Sequence, residues 1–423
     1  MGCINLAEII VNGGKRLSGE IEVQGAKNSV LPVLAASVLC DGECVIHNCP
    51  NLSDVHTSIE ILQNFGAKVS YNNKTVIVNC SDISNFEIPE SLMREMRSSV
   101  VFLGGILGRM KRAVISSPGG CELGPRPIDL HLSALKKLGV HISEEHGFLN
   151  CNAENGINGC EIHLAFPSVG ATENIILTAA LAKGVTVIHN AAKEPEISDL
   201  ADFLNSAGAR IYGSGSDTIH IHGVEKLHGT THTIIPDRIV AATYMSAAVI
   251  TGGEVTLTNI MPSHMVAILH TFRESGCDIT VKGKSLKISS PKRLCRVPTI
   301  RSLVYPAFPT DAGPLLIAML TIAKGTSVFV ENIFENRFRY VHELNRLGAN
   351  IKIEGKVAVI EGVKSLSGAK CVCPDLRGGA ALVVASLAAQ GESEITNISH
   401  INRGYDNIVG ALASIGADIN IKE

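Results

Sequence analysis

One cysteine of this chain stands on a glycine-rich stretch, Ser117-Pro118-Gly119-Gly120-Cys121-Glu122-Leu123-Gly124-Pro125-Arg126. A thiol near arginine on such a loop can have a lowered pKa and serve as nucleophile or proton donor. Asp311, in Phe308-Pro309-Thr310-Asp311, precedes an apolar helix and reads either as an N-cap or as a general base. Basic and acidic side chains gather where other helices should begin: Lys27-Asn28, Arg97, Arg126, Asp237-Arg238, Glu335 with Arg337, Asp375 with Arg377, and Arg403. Helix N-termini present free N–H groups and partial positive charge, so they suit anions. A single arginine there is most often a solvated or capping residue. A set of them at equivalent loops points to a small polyanion, because the planar guanidinium matches carboxylate and phosphate oxygens in pairs. Glu335 and Asp375 read as groups that orient the neighbouring arginines. His131 follows Arg126 on one helix and could line the site, although a solvated helix histidine is the more usual reading.

The elements that must position these residues repeat. Glycines at Gly66, Gly139, Gly208, Gly276, Gly348 and Gly416 each follow a helix-like run, at spacings close to seventy residues, so the chain is six copies of one unit. Each unit opens with an apolar helix, predicted over 26–39, 98–107, 171–181, 239–249, 314–323 and 379–388. A short strand follows, ending near an Asn in Asn48, Asn190, Asn259 and Asn332. An amphipathic helix comes next, with stripes such as Val55, Ile59, Leu62 and Phe65, and a hairpin closes the unit. The pattern is α/β with mixed sheets. The last copy stops after one hairpin strand, and the N-terminus offers a spare one at Glu8-Ile9-Ile10-Val11. Two three-repeat domains are therefore expected, 22–230 and 231–423 with 1–21, and a cleft between them.

Composition narrows the partners. The 423 residues are 45% hydrophobic and 18% charged, with a net charge of −3 and no Trp. There is no bulk attraction for nucleic acid and no aromatic platform for single strands. No apolar run reaches the length of a membrane span. The opening lacks a signal peptide, so the twelve cysteines read as reduced, mostly buried residues of a cytoplasmic protein. Neither the fifteen histidines nor Cys371-Val372-Cys373 forms a metal-ligand set. Gly104-Gly105 and Gly378-Gly379 lack the spacing of a phosphate loop.

Seven motifs in register carry a resemblance: Gly25-Ala26-Lys27-Asn28, Pro118 to His131, Ser168-Val169-Gly170-Ala171-Thr172, Pro309-Thr310-Asp311, Glu335-Asn336-Arg337-Phe338, Asp375-Leu376-Arg377 and Arg403-Gly404-Tyr405. Together, end to end, they resemble the UDP-N-acetylglucosamine enolpyruvyl transferases, the 1-carboxyvinyltransferases of the EPSP synthase family. The resemblance implies a two-domain inverse α/β barrel of six repeats. It also implies transfer of the enolpyruvyl group of phosphoenolpyruvate to the 3-hydroxyl of UDP-N-acetylglucosamine, with no cofactor and no metal. By the same resemblance Cys121 is the general acid and the target of fosfomycin-type epoxides, and Asp311 takes the sugar hydroxyl proton. Lys27 and Arg126 fall at the phosphate, Arg337, Arg377 and Arg403 at the carboxylate, and Asn28 at phosphoenolpyruvate, with Lys27 and Arg403 also catalytic. Asn28, Arg97, Arg126, Pro127, Ile128, Asp129, Leu130, Ser168, Val169, Gly170, Asp311 and Ile333 fall at the sugar nucleotide. The chain departs from the family at Ala312-Gly313-Pro314, where Gln is more usual, and at Phe166-Pro167, where some members carry a basic residue. Two alternatives stand beside this reading. One is a non-catalytic sugar-nucleotide-binding paralogue. The other is the sister enzyme acting on shikimate 3-phosphate, which has Gly-Ser-Lys-Ser where this chain has Gly25-Ala26-Lys27-Asn28.

Overall fold

The computed structural model describes residues 7–422 apart from 117–127. The chain divides at Gln24 and Pro236 into two compact units. The middle unit runs from Gly25 to Ile235, and the terminal unit joins the stretch from Pro236 onward to the N-terminal segment.

Each unit is built around three helices with no polar face. In the middle unit these are Lys27–Ser37, Phe102–Met110 and Val169–Ala179, and in the terminal unit Arg238–Ile250, Gly313–Leu320 and Leu376–Ala388. Every residue of Gly313–Leu320 is buried. A helix that is apolar all round can only be an interior element. The bounds differ from the sequence pattern chiefly at 97–101, where a 3-10 turn, Arg97–Val101, precedes the helix.

Sheets cover these helices, and they share one plan. Strand Thr231–Thr233 runs parallel to Glu43–His47, which pairs antiparallel with Thr75–Asn79 and through it with Lys68–Asn72. The same order recurs with Glu161–His163 beside Val185–His189, Thr299–Arg301 beside Thr326–Val330, and Ser18–Glu22 beside Glu254–Thr258. In the last copy, Glu8–Asn12 lies antiparallel between Glu392–Thr396 and Asp418–Lys422, with Ile9 opposite Ile395 and Ile421. The chain's first strand thus completes its last sheet. Amphipathic helices such as Pro195–Ser206 and Val266–Glu274 pack outside, each with one buried stripe.

Two residue types punctuate the repeats, glycine in all six and asparagine in five, for physical reasons. The six periodic glycines all have φ between 90° and 102°, which Gly adopts without the Cβ penalty, and each ends an outer helix. The strand-end asparagines clasp the neighbouring parallel strand. Nδ2 of Asn48, Asn190, Asn259, Asn332 and Asn397 donates to the carbonyls of Ile234, Leu164, Val23, Ser302 and Cys373 at 2.8–3.1 Å. Gly104-Gly105 serves packing. A Cβ on Gly105 would lie 2.6 Å from the Ala35 carbonyl oxygen, and one on Gly104 would lie 2.7 Å from that of Asn174. The helix Phe102–Met110 can touch its two neighbours only with bare backbone there. Gly105→Ala is expected to lower unfolding free energy by about 1–3 kcal/mol through overpacking, read from urea denaturation.

Candidate active site

In the terminal unit the charged residues converge at the N-terminal ends of the buried helices. Asp311 lies in the 3-10 turn Thr310–Ala312, and Ala312 at the start of the next helix makes no side-chain cap. The N-cap reading of Asp311 is therefore corrected: its carboxylate faces two arginines instead. Arg337 Nη2 donates to Asp311 Oδ1 at 2.9 Å and to the Thr310 carbonyl at 3.0 Å. Arg377 Nε lies 3.5 Å from Asp311 Oδ2. Both arginines are 2% exposed, whereas the Asp311 side chain is 28% exposed. The carboxylate is thus the accessible tip of a buried cationic pair.

The guanidiniums are fixed from behind. Arg337 stacks 5.5 Å from the Phe334 ring and Arg377 5.6 Å from the Tyr405 ring. Arg377 Nη1 donates to the Tyr405 hydroxyl at 3.3 Å, and that hydroxyl shares a 2.8 Å hydrogen bond with Thr243. Burial works against the Arg377 charge, but Tyr405 and the carboxylates of Asp311 and Asp237 together outweigh it and raise its pKa. Among the described residues Nε of Arg337 makes no hydrogen bond, and Nε of Arg377 has only the 3.5 Å approach of Asp311 Oδ2. Donors left unsatisfied in a buried site have capacity for a further acceptor.

Asp375 and Glu335 do not orient the arginine side chains. Asp375 accepts from the Arg377 and Gly378 amides and so caps the helix that carries Arg377, while Glu335 is exposed. The orienting glutamate is Glu331, which sequence reasoning missed. Its carboxylate accepts from Thr310 Oγ1 at 2.9 Å and from the Ile333 and Phe334 amides at 2.7 and 3.1 Å. That single side chain ties the Asp311 turn to the loop that leads to Arg337. Arg403 lies two residues before Tyr405 and is half-buried.

In the middle unit Lys27 opens its helix and is 9% exposed. Its ammonium lies 2.7 Å from Asp54 Oδ2, an ion pair that no sequence signal announced. Asn28, beside it, is exposed. Ser168 caps the helix Val169–Ala179 by accepting from the Ala171 amide, placing Val169 and Gly170 in its first turn. His131 is not solvated: it is buried, hydrogen-bonded to Asn174 at 3.0 Å, and a Cβ on Gly170 would lie 2.9 Å from its ring. The helix Asp129–Lys137 therefore backs the Ser168–Gly170 turn, with Ile128 and Leu130 half-buried and Asp129 exposed. Cys121, Arg126 and Pro127 lie outside the described residues, as does the side chain of Arg97. Among the described residues no group of His, Cys, Asp and Glu could hold a metal ion.

Each unit is thus a triad of buried helices wrapped by sheets, with charged groups at the helix starts. This chain belongs to the EPSP synthase (3-phosphoshikimate 1-carboxyvinyltransferase) family, whose model matches residues 11–412. It is 54% identical, over 97% of its length and 98% of the relative's, to UDP-N-acetylglucosamine 1-carboxyvinyltransferase 2 of Caldanaerobacter subterraneus subsp. tengcongensis. It is 49% identical, over 97% and 94%, to UDP-N-acetylglucosamine 1-carboxyvinyltransferase 1 of Symbiobacterium thermophilum. Among solved structures it resembles the enolpyruvyl transferase NikO from Streptomyces tendae, with a TM-score of 0.89 and 25% identity over 99% of both chains.

One buried acid beside the Ser168 turn has a consequence for stability. Burial, with Glu196 and Glu194 nearby, pushes the Glu173 carboxyl well above its ordinary 4.5. The folded protein therefore holds a proton that the unfolded chain releases above that pH, so stability falls as pH rises through the window. Glu173→Gln is expected to raise the urea midpoint at pH 8 and leave it nearly unchanged at pH 4.

Proposed function

We propose that this chain transfers the enolpyruvyl group of phosphoenolpyruvate to the 3-hydroxyl of UDP-N-acetylglucosamine and releases phosphate, the first committed step of peptidoglycan synthesis, in the cytoplasm. The observation that carries the reading is a partly exposed Asp311 held against two buried arginines, Arg337 and Arg377. This arrangement offers a base next to fixed positive charge, which suits deprotonation of a hydroxyl beside an anionic co-substrate. The identity with two proteins named for this reaction supports the choice of substrates.

The reaction is an addition followed by an elimination. The sugar oxygen attacks C2 of phosphoenolpyruvate, Asp311 takes the hydroxyl proton, and Cys121 donates a proton to the methylene carbon. The resulting tetrahedral ketal then loses a methyl proton and expels phosphate, which restores the double bond. Lys27 and Arg126 are assigned to the phosphate, Arg337, Arg377 and Arg403 to the carboxylate, and Asn28 to phosphoenolpyruvate. Phosphoenolpyruvate carries about three negative charges at neutral pH, and nucleophilic attack on it requires that charge to be met by preplaced donors. Asn28, Arg97, Arg126, Pro127, Ile128, Asp129, Leu130, Ser168, Val169, Gly170, Asp311 and Ile333 are assigned to the sugar nucleotide. The Ser168–Gly170 segment begins a helix, a position suited to diphosphate oxygens.

Inorganic phosphate release from phosphoenolpyruvate is expected to depend on added UDP-N-acetylglucosamine. Absence of release from folded protein would overturn the transferase reading. An epoxide of the fosfomycin type is expected to add once to Cys121, seen as an increase in intact mass. Cys121→Asp should escape that adduct while keeping part of the activity, because a carboxylic acid still donates a proton.

A further inference from the structure

The helix that begins with Lys27 has an undefended start. Its N-cap is Ala26, which has no side chain able to cap. Something else must fix the first turn, because a helix start frays unless its free groups are engaged.

Asp199, on the outer helix Pro195–Ser206, meets that need. Its Oδ2 accepts the Ser29 hydroxyl hydrogen and, at 3.4 Å, the Ile235 amide. The Ile235 carbonyl in turn accepts from the Ala26 amide at 2.8 Å. Oδ1 of Asp199 accepts from His232 Nε2 at 2.9 Å, and the His232 ring stands edge-on to buried Phe203 at 5.7 Å. Asp199 is 4% exposed and Ser29 is fully buried. One carboxylate therefore grips both strands of chain that flank Lys27, residues 26–29 and 232–235. A second carboxylate, Asp54, holds the ammonium itself.

We infer that Asp199, braced by His232 and acting through Ser29, is a positioning residue that fixes the Lys27–Asn28 turn for its anionic substrate. The functional half of this statement rests on the assignment of Lys27 to phosphoenolpyruvate. The geometric half does not. Removing the Ser29 hydroxyl breaks the link with the smallest possible change, while Asp199→Asn weakens it and still offers one acceptor oxygen.

Two readouts test the inference in the intact protein. The first is the rate at which trinitrobenzenesulfonate labels Lys27, followed by peptide mass spectrometry without substrate. Ser29→Ala is expected to raise that rate about fivefold or more, and Asp199→Asn less. The second is steady-state kinetics. Ser29→Ala is expected to raise KM for phosphoenolpyruvate about tenfold with kcat within about twofold. The double variant Ser29→Ala/Asp199→Asn should raise KM by less than the product of the two single effects, because the two residues share the Ser29 link. Unchanged labelling in folded Ser29→Ala overturns the inference, and so do KM effects of the two substitutions that multiply. Faster labelling in a protein whose wild type releases no phosphate would leave the turn-fixing role intact and reject the transferase reading.

Discussion

A helix buried on every side can present polar groups only at its ends, and this constraint organises each unit. Apolar residues dominate the six interior helices, and the charged residues Lys27, Arg238 and Arg377 lie in the first turns of three of them. Asp237 and Asp375 cap two of them, Ser168 caps a third, and Lys27 opens a fourth. Free N–H groups and the positive end of the helix dipole lie at the same places. Chemistry directed at anions therefore arises where the core ends, and the core can stay dry.

Charge inside such a structure has to be balanced locally. Arg337 and Arg377 are among the least exposed residues of the terminal unit, and a lone buried guanidinium would be costly. Asp311 offsets part of that cost, and the Phe334 and Tyr405 faces offset more. The Asp237 carboxylate adds to the charge that stabilises Arg377. In the middle unit the Lys27 ammonium is likewise set against a buried carboxylate, that of Asp54.

The repeats were legible because each is punctuated by residues that do a specific backbone task. The periodic glycines are the left-handed residues that end the outer helices, and the strand-end asparagines clasp the next strand. The strand Glu8–Asn12 was also readable, and it lies between Glu392–Thr396 and Asp418–Lys422, where other repeats have a strand of their own hairpin. The arginines and Asp311 stood out through their placement at helix starts. Glu331, Asp54, Asn174 and Asp199 did not, because each is an ordinary polar residue in sequence and acquires its role from contacts with residues 20 or more positions away. His131 was misread for the same reason: helical spacing cannot show that Gly170 and Asn174 lie against its ring.

By itself the amino-acid sequence determined the six-part periodicity, the apolar interior helices and the list of cationic residues at their starts. These follow from local rules, since helical and strand periods, capping and positive φ are properties of short stretches of chain. Only the tertiary structure decided which charges meet. Asp311 could have capped its own helix, yet it turns to Arg337 and Arg377 because those guanidiniums are buried and need a counter-charge nearby. Asp199 could have been a solvated helix residue, yet folding carries it to the uncapped start of the Lys27 helix. Pairings of this kind are set by which elements the packed core brings together, and no spacing within a segment encodes them.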